Sequence, residues 1–427
     1  MILLFVSLAV LLMIGVPIGF ALVGASMAYL LVTEGLGTPQ VLFRMVNGVD
    51  SFTLLAIPFF ILAGAVMNVG GVTERIFAFA DALVGWMKGG LGHVNVAASV
   101  IFSGMSGAAV ADVGGLGAIE VKAMRNAGYD DDFTIGITGA SSIIGPLIPP
   151  SLPLIIYGVV ASESIGSLFL AGIVPGLLIA VLISLTIFLI SRRRGYEPSQ
   201  RFEPRLILSC ARHAIFPLLT PVIIIGGITL GVFTPTEAAV AASAYAIVLS
   251  AFVFRTMGWG DFVRLSRETA TTTSSILIIV AGSAIFSWLL TANNVGPLVR
   301  DIVTGMTDSP ILFLFLVAAV TLIVGCFLDM IAAITILVPV LLPTANSLGI
   351  DPIHFGVFFM FNLMLGLLTP PVGMVIFVLA KVSDVTPAFV SRSLLLFVVP
   401  LVLALLALLF IPALSTALPA FVKGGSL

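Results

Sequence analysis

Ser141-Ser142-Ile143-Ile144-Gly145-Pro146-Leu147-Ile148-Pro149-Pro150-Ser151 interrupts a segment that is otherwise apolar, and Asn362-Leu363-Met364-Leu365-Gly366-Leu367-Leu368-Thr369-Pro370-Pro371 does the same 221 residues later. Adjacent prolines remove two backbone donors and clash with the preceding turn, so each segment reads as a helix broken near its middle. Lipid cannot satisfy the freed carbonyls; such a break survives only where it is buried in protein or lines a wet cavity. Freed carbonyls, together with serine or threonine hydroxyls, suit a monovalent cation such as Na⁺. For either motif alone, a plain proline kink is the simpler account. Their matched placement favours a site.

Everything around the breaks is membrane-like. Of the 427 residues, 60% are hydrophobic and only 9% charged, and the mean hydropathy is +1.25, whereas soluble domains carry roughly 25% charged residues. Apolar runs long enough to cross a bilayer recur over 2–32, 54–69, 165–190, 215–231, 238–254 and 393–414. The chain is therefore read as an all-α integral membrane protein surrounded by lipid bilayer. Its first run has no basic leader and continues past Gly15-Val16-Pro17 into a second helical stretch, so it is read as a retained span. A net charge of −2 without long charged runs suggests no nucleic acid partner. Cys210 and Cys326 lie in unlike contexts, and neither a disulfide nor metal-ligand spacing is indicated.

Gly128-Tyr129-Asp130 and Gly349-Ile350-Asp351 each precede a double proline by 21 residues, and Gly15-Val16 with Ala28-Tyr29 match Gly231-Val232 with Ala244-Tyr245 at an offset of 216. The chain thus divides into repeats at 1–191 and 213–427, joined by an arginine-rich linker over 192–212. Arginines favour the cytoplasmic side, which places that linker and the 255–267 connection inside. Walking outward then puts corresponding elements on opposite membrane faces and both termini outside. Such repeats are inverted, an arrangement found in transporters.

Ser103-Gly104-Met105-Ser106-Gly107 and Asp112-Val113-Gly114-Gly115 fall in a stretch that enters and turns back, a re-entrant hairpin over 92–128. Val324-Gly325-Cys326-Phe327-Leu328-Asp329 holds the matching position in a second hairpin over 311–349, and the broken helices follow over 132–158 and 354–381. Asp112 and Asp329 would be costly in lipid, so they point to a cavity, a binding site or a cation partner; helix capping is the plainer alternative. Lys122, Arg125 and Asp130 to Asp132 read as a solvated interfacial cluster, and Glu237 in Phe233-Thr234-Pro235-Thr236-Glu237 as a helix-start residue.

Gly104-Met105-Ser106-Gly107 also matches a short intramembrane serine protease signature. A serine nucleophile needs a base within reach, and His93, His213 and His354 all fall near membrane surfaces on this topology. The chain is accordingly not read as an enzyme, and no catalytic residue is assigned. A channel would also tolerate broken helices, while a purely structural scaffold would have no use for paired polar breaks.

At Ser103 to Gly117, Gly139 to Ser151, Gly226 to Ala239 and Asn362 to Gly373 the chain resembles the large membrane subunit of TRAP (tripartite ATP-independent periplasmic) transporters, members of the ion-transporter superfamily. The likeness covers essentially the whole length. It implies an elevator-type carrier in the bacterial inner membrane, coupled to Na⁺ and needing no cofactor. It would work with a small four-helix membrane subunit and a periplasmic substrate-binding protein that delivers an organic acid. Carried onto this sequence, one cation site would involve Ser103, Ser106, Gly145, Ile148 and Pro149, and the other Gly325, Gly366, Thr369 and Val372. Substrate would sit between them near Ser141, Ser142 and Asn362, with Asp112 and Asp329 assigned to the same region. Ile148 stands where the second half has Thr369 and offers only a carbonyl, so the two cation sites need not be equal. A superfamily relative that moves dicarboxylates with Na⁺ and no binding protein is the alternative.

Overall fold

The computed structural model describes residues 1–33 and 38–424, and every regular element among them is helical. Eight of the helices are long and apolar enough to cross a membrane. The first half runs α1 (Ile2–Met13), α2 (Ile18–Thr33), α3 (Thr38–Val49), α4 (Ala56–Val69), α5 (Val72–Val84), α6 (Gly90–Ser106), α7 (Ala109–Asp112), α8 (Ala118–Asn126), α9 (Asp131–Ser142), α10 (Leu152–Ala161) and α11 (Ile165–Arg194). The second runs α12 (Pro204–Thr229), α13 (Pro235–Val248), α14 (Trp259–Ala292), α15 (Val295–Met306), α16 (Pro310–Phe327), α17 (Met330–Ser347), α18 (Pro352–Leu367), α19 (Met374–Ser383), α20 (Pro387–Phe410) and α21 (Ala413–Gly424).

Helix starts recur along the chain. Thr38 and Trp259, Ala109 and Met330, and Asp131 and Pro352 each open a helix, each pair 221 residues apart. The hairpins are α6 against α7–α8 and α16 against α17. A wide π-helical turn, Val113–Gly117, joins α7 to α8, where Gly114, Gly115 and Gly117 weaken the regular helix. The broken helices are α9/α10 and α18/α19. Both double-proline bonds, Pro149–Pro150 and Pro370–Pro371, are cis.

Local chemistry explains the boundaries. Proline opens α12, α16, α18 and α20 at a position whose backbone donor would be unused. Thr234 and Glu237 form a reciprocal capping box at the start of α13, so the capping role read for Glu237 holds.

Packing crosses the halves. The second arm of each broken helix lies on the other half's hairpin, α10 on α17 and α19 on α7 and the π turn. Tyr157 of α10 donates a 2.6 Å hydrogen bond to the carbonyl of Pro352, where α18 begins. A second block is built from α1 to α4, α13 and α14, with a satellite core of Leu4, Leu22, Tyr29 and Phe286.

The stretch 192–212 departs from a free linker. Arg192 to Arg194 complete α11 and Pro204 to Arg212 begin α12, leaving 195–203 between them. That short segment is docked: Tyr196 packs on Tyr129 at 4.4 Å between ring centroids, and Ser199 donates to Asp81 at 2.6 Å. Arg194 reaches Asp130 and Asp132, and Arg125 reaches Asp131, so the charged cluster read as merely solvated ties the start of α9 to its neighbours.

Candidate functional site

In each half the hairpin tip meets the break of the same half. Gly107, in the left-handed conformation (φ +59°), closes the first hairpin, and a Cβ there would lie 2.4 Å from the Pro150 carbonyl oxygen. In the second half the Gly373 N–H donates to the Cys326 carbonyl at 3.0 Å.

The first break is sealed. Residues 143 to 151 are all buried. The Ser151 hydroxyl bonds back to the Pro146 carbonyl and accepts from the Leu154 N–H at 3.3 Å, which starts α10. Gly145 and Ile148 donate their N–H groups to Ser142 and Ile144. Among the described residues no hydrogen bond reaches the carbonyl oxygens of Gly145, Ile148 or Pro149. Ser103, fully buried one turn before the tip, donates to the Val100 carbonyl at 2.5 Å. Ser106 ends α6, and its side chain lies outside the described residues.

The second break is open. Pro370, Pro371 and Val372 are exposed, Val372 by 42%, and Thr369 is half-buried. The Thr369 hydroxyl donates to the Leu365 carbonyl at 2.7 Å, which turns its lone pairs away from that helix. Gly366 accepts the Thr369 N–H at 3.0 Å. Gly325 and Gly366 touch backbone to backbone, so both serve the packing of α16 on α18.

The residues assigned to substrate are not gathered in one place. Ser141 and Ser142 are fully buried. Ser141 donates to Asn95 Oδ1 at 2.6 Å, and Ser142 to the Gly139 carbonyl at 2.8 Å. Asn362 instead ties α18 to α16 through the Ala318 carbonyl (2.6 Å) and the Thr321 hydroxyl, and it lines a cavity of about 450 Å³ with Thr369 and Pro370.

The aspartates also part company. Asp329 caps α17 by accepting the Ile331 N–H at 3.0 Å, the plainer of the two roles read for it. Asp112 is buried inside the first hairpin, where Ser99 donates to its Oδ2 at 3.1 Å and its Oδ1 has no hydrogen bond among the described residues.

Sequence reading passed over the polar ladder beside Asp112. Asn95, Ser99 and Ser103 stand four residues apart on one face of α6, and Asn95 donates to Thr138 of α9 at 2.8 Å. Glu120 of α8, also buried, has no hydrogen-bond partner for Oε1 among the described residues. The spacing was a usable signal, since polar residues at i, i+4 and i+8 share a helix face.

The chain matches the family described as "Tripartite ATP-independent periplasmic transporter, DctM component" over residues 5–414. Against the sialic acid TRAP transporter large permease protein SiaM of Vibrio cholerae it is 44% identical, covering 97% of both chains. Against the 2,3-diketo-L-gulonate TRAP transporter large permease protein YiaN of Escherichia coli the identity is 38%, over 93% of this chain and 94% of the relative. The C4-dicarboxylate TRAP transporter large permease protein DctM of Pseudomonas aeruginosa is also 38% identical, over 87% of each. The sialic acid TRAP transporter permease protein SiaT of Haemophilus influenzae is longer: 41% identity extends over 96% of this chain but 67% of that one. In fold, the chain is similar to the YdaH transporter of Alcanivorax borkumensis, with a TM-score of 0.63 at 15% identity, covering 93% and 90% of the two chains.

Proposed function

We infer the function from one premise: the chain belongs to the DctM-component family of tripartite ATP-independent periplasmic transporters, the large, multi-pass permeases of such systems. It carries a small organic acid across the bacterial inner membrane, and an inward Na⁺ gradient drives the step. The observation that carries the cation coupling is the meeting of hairpin tip and broken helix in both halves, with carbonyl oxygens of Gly145, Ile148 and Pro149 in the first break that accept no hydrogen bond among the described residues. Carbonyl and hydroxyl oxygens at a helix break suit Na⁺, and we assign one such site to each half.

Three relatives are named for sialic acid, diketogulonate and C4-dicarboxylate, all carboxylic acids, which supports the substrate class. A small four-helix membrane subunit and a periplasmic binding protein complete the system. The greater length of the SiaT permease fits the first of these, because this chain accounts for only 67% of it. The cross-packed hairpins and broken helices form one body that slides against α1 to α4, α13 and α14, an elevator motion. The linker 192–212 faces the cytoplasm and both termini the periplasm.

Uptake into proteoliposomes holding the chain, its small subunit and loaded binding protein tests the reading. It should require an inward Na⁺ gradient, and equal uptake with K⁺ or choline in its place would refute the coupling. Uptake by the chain alone would favour the binding-protein-independent dicarboxylate symporter.

A further inference from the structure

The two halves differ where the hairpin meets the last long helix. In the first half α6 and α11 lie together: a Cβ on Gly92 would sit 2.9 Å from Ile187, and one on Gly89 2.6 Å from Ser191 Cβ. The positions 221 residues further on are Phe313 and Pro310, which allow no such approach. There α16 and α20 meet at one end, through an edge contact of Phe315 with Phe410 at 6.1 Å, and splay apart toward the start of α20.

The gap between them is the cavity of about 450 Å³ that reaches Thr369. Leu322, Leu365 and Leu368 form one wall and Leu395, Val398 and Val402 the other. Leu395 is 66% exposed, so this side opens laterally to whatever surrounds the helix. Near the start of α20, beside Ser391, stands Arg392, exposed and with no ion pair or hydrogen bond among the described residues.

We propose that this groove holds an acyl chain of an anionic phospholipid whose headgroup phosphate sits on Arg392. An arginine without a counter-charge at the end of an apolar furrow calls for an anion that carries a long apolar tail. Besides Arg392 the lining offers polar groups only at Asn362, Thr369 and Ser391 against nine leucines and valines, so a free organic acid would set most of its polar groups against apolar side chains, which is unfavourable. A transmembrane helix, about 10 Å across, would fill such a volume with little more than one turn. The lipid's tail would end against the Thr369–Pro370 break, so bilayer composition would reach the second break directly.

Native mass spectrometry of the full chain, purified, delipidated and titrated with phosphatidylglycerol or phosphatidylcholine, tests this. The first bound phosphatidylglycerol should be held about fivefold more tightly than phosphatidylcholine, the scale of one arginine's attraction to an anionic headgroup. Arg392→Gln should remove that preference and Arg392→Lys keep it, while Val398→Trp, which fills the furrow, should weaken both lipids. An unaltered preference in Arg392→Gln overturns the proposal. So does displacement of bound lipid by succinate, which would make the groove a solute site, or by the small membrane subunit, which would make it a protein interface.

Discussion

Gly325 on α16 and Gly366 on α18 bring two helix backbones into direct contact: a Cβ on Gly366 would lie 2.7 Å from the Gly325 Cα, and one on Gly325 would lie 2.8 Å from the Leu363 carbonyl oxygen. No side chain fits between them. The contact sets the second hairpin tip against its break, where Gly373 bonds to Cys326.

Gly366→Ala should therefore push α16 off α18. Overpacking of this kind costs about 1–3 kcal/mol, read as a lower unfolding temperature in detergent together with lost uptake. Gly305→Ala is the control, because its Cβ would meet nothing within 4 Å; there the helix should gain about 0.5–1 kcal/mol. Equal effects at the two positions would show that the close approach is unimportant.

A second prediction concerns the docked linker. Arg194 holds Asp132 through two hydrogen bonds of 2.8 Å and reaches Asp130 at 2.9 Å. Arg194 and Asp132 remain 28% and 39% exposed, so water and salt screen the pair. Arg194→Gln should cost about 0.5–1 kcal/mol of stability at low ionic strength, and the deficit should shrink in high salt. A loss indifferent to salt would point to the Tyr196 stacking beside it.

The breaks, hairpins and repeat were legible because they rest on backbone rules: double prolines stop helices wherever they fall, and glycine-rich turns recur at one interval. Side-chain partnerships were not. Whether Ser141 faces a cavity or Asn95 depends on how α6 rotates against α9, and one helix's sequence does not state its rotation. The arginine run at 192–194 reads as solvated linker because charge alone does not reveal that Asp130 and Asp132 stand within reach of Arg194. The open groove at Arg392 is not legible in the sequence because it arises from a difference between the halves, whereas the repeat displays their likeness.

The proposed orientation can be tested with single cysteines in a Cys210→Ser, Cys326→Ser background. Ser199 is a poor reporter, since its hydroxyl is bonded to Asp81; Arg201→Cys in the same segment is exposed. Asp308→Cys, exposed between α15 and α16, reports the opposite face. An impermeant thiol reagent on intact cells with a permeabilised outer membrane should label position 308 and spare 201. Labelling of 201 alone would reverse the orientation. The C-terminal end near Gly425 lies outside the described residues.

The last prediction isolates the oxygen of Thr369. Its hydroxyl hydrogen is committed to the Leu365 carbonyl at 2.7 Å, leaving the oxygen lone pairs for a cation between the second hairpin and the break. Thr369→Val keeps the shape and removes the oxygen. It leaves no carbonyl orphaned, because Leu365 also accepts the Leu368 N–H at 3.1 Å. Losing one ligand should weaken Na⁺ binding by about 1–3 kcal/mol, or roughly 5- to 150-fold. Half-maximal Na⁺ for uptake should rise to match, with expression near normal. Ile148→Thr, at the equivalent place in the first half, adds an oxygen where this chain has none and should not reproduce the loss. If Thr369→Val transports with unchanged Na⁺ dependence, the threonine only finishes α18 through its bond to Leu365, and the cation is held by backbone carbonyls alone.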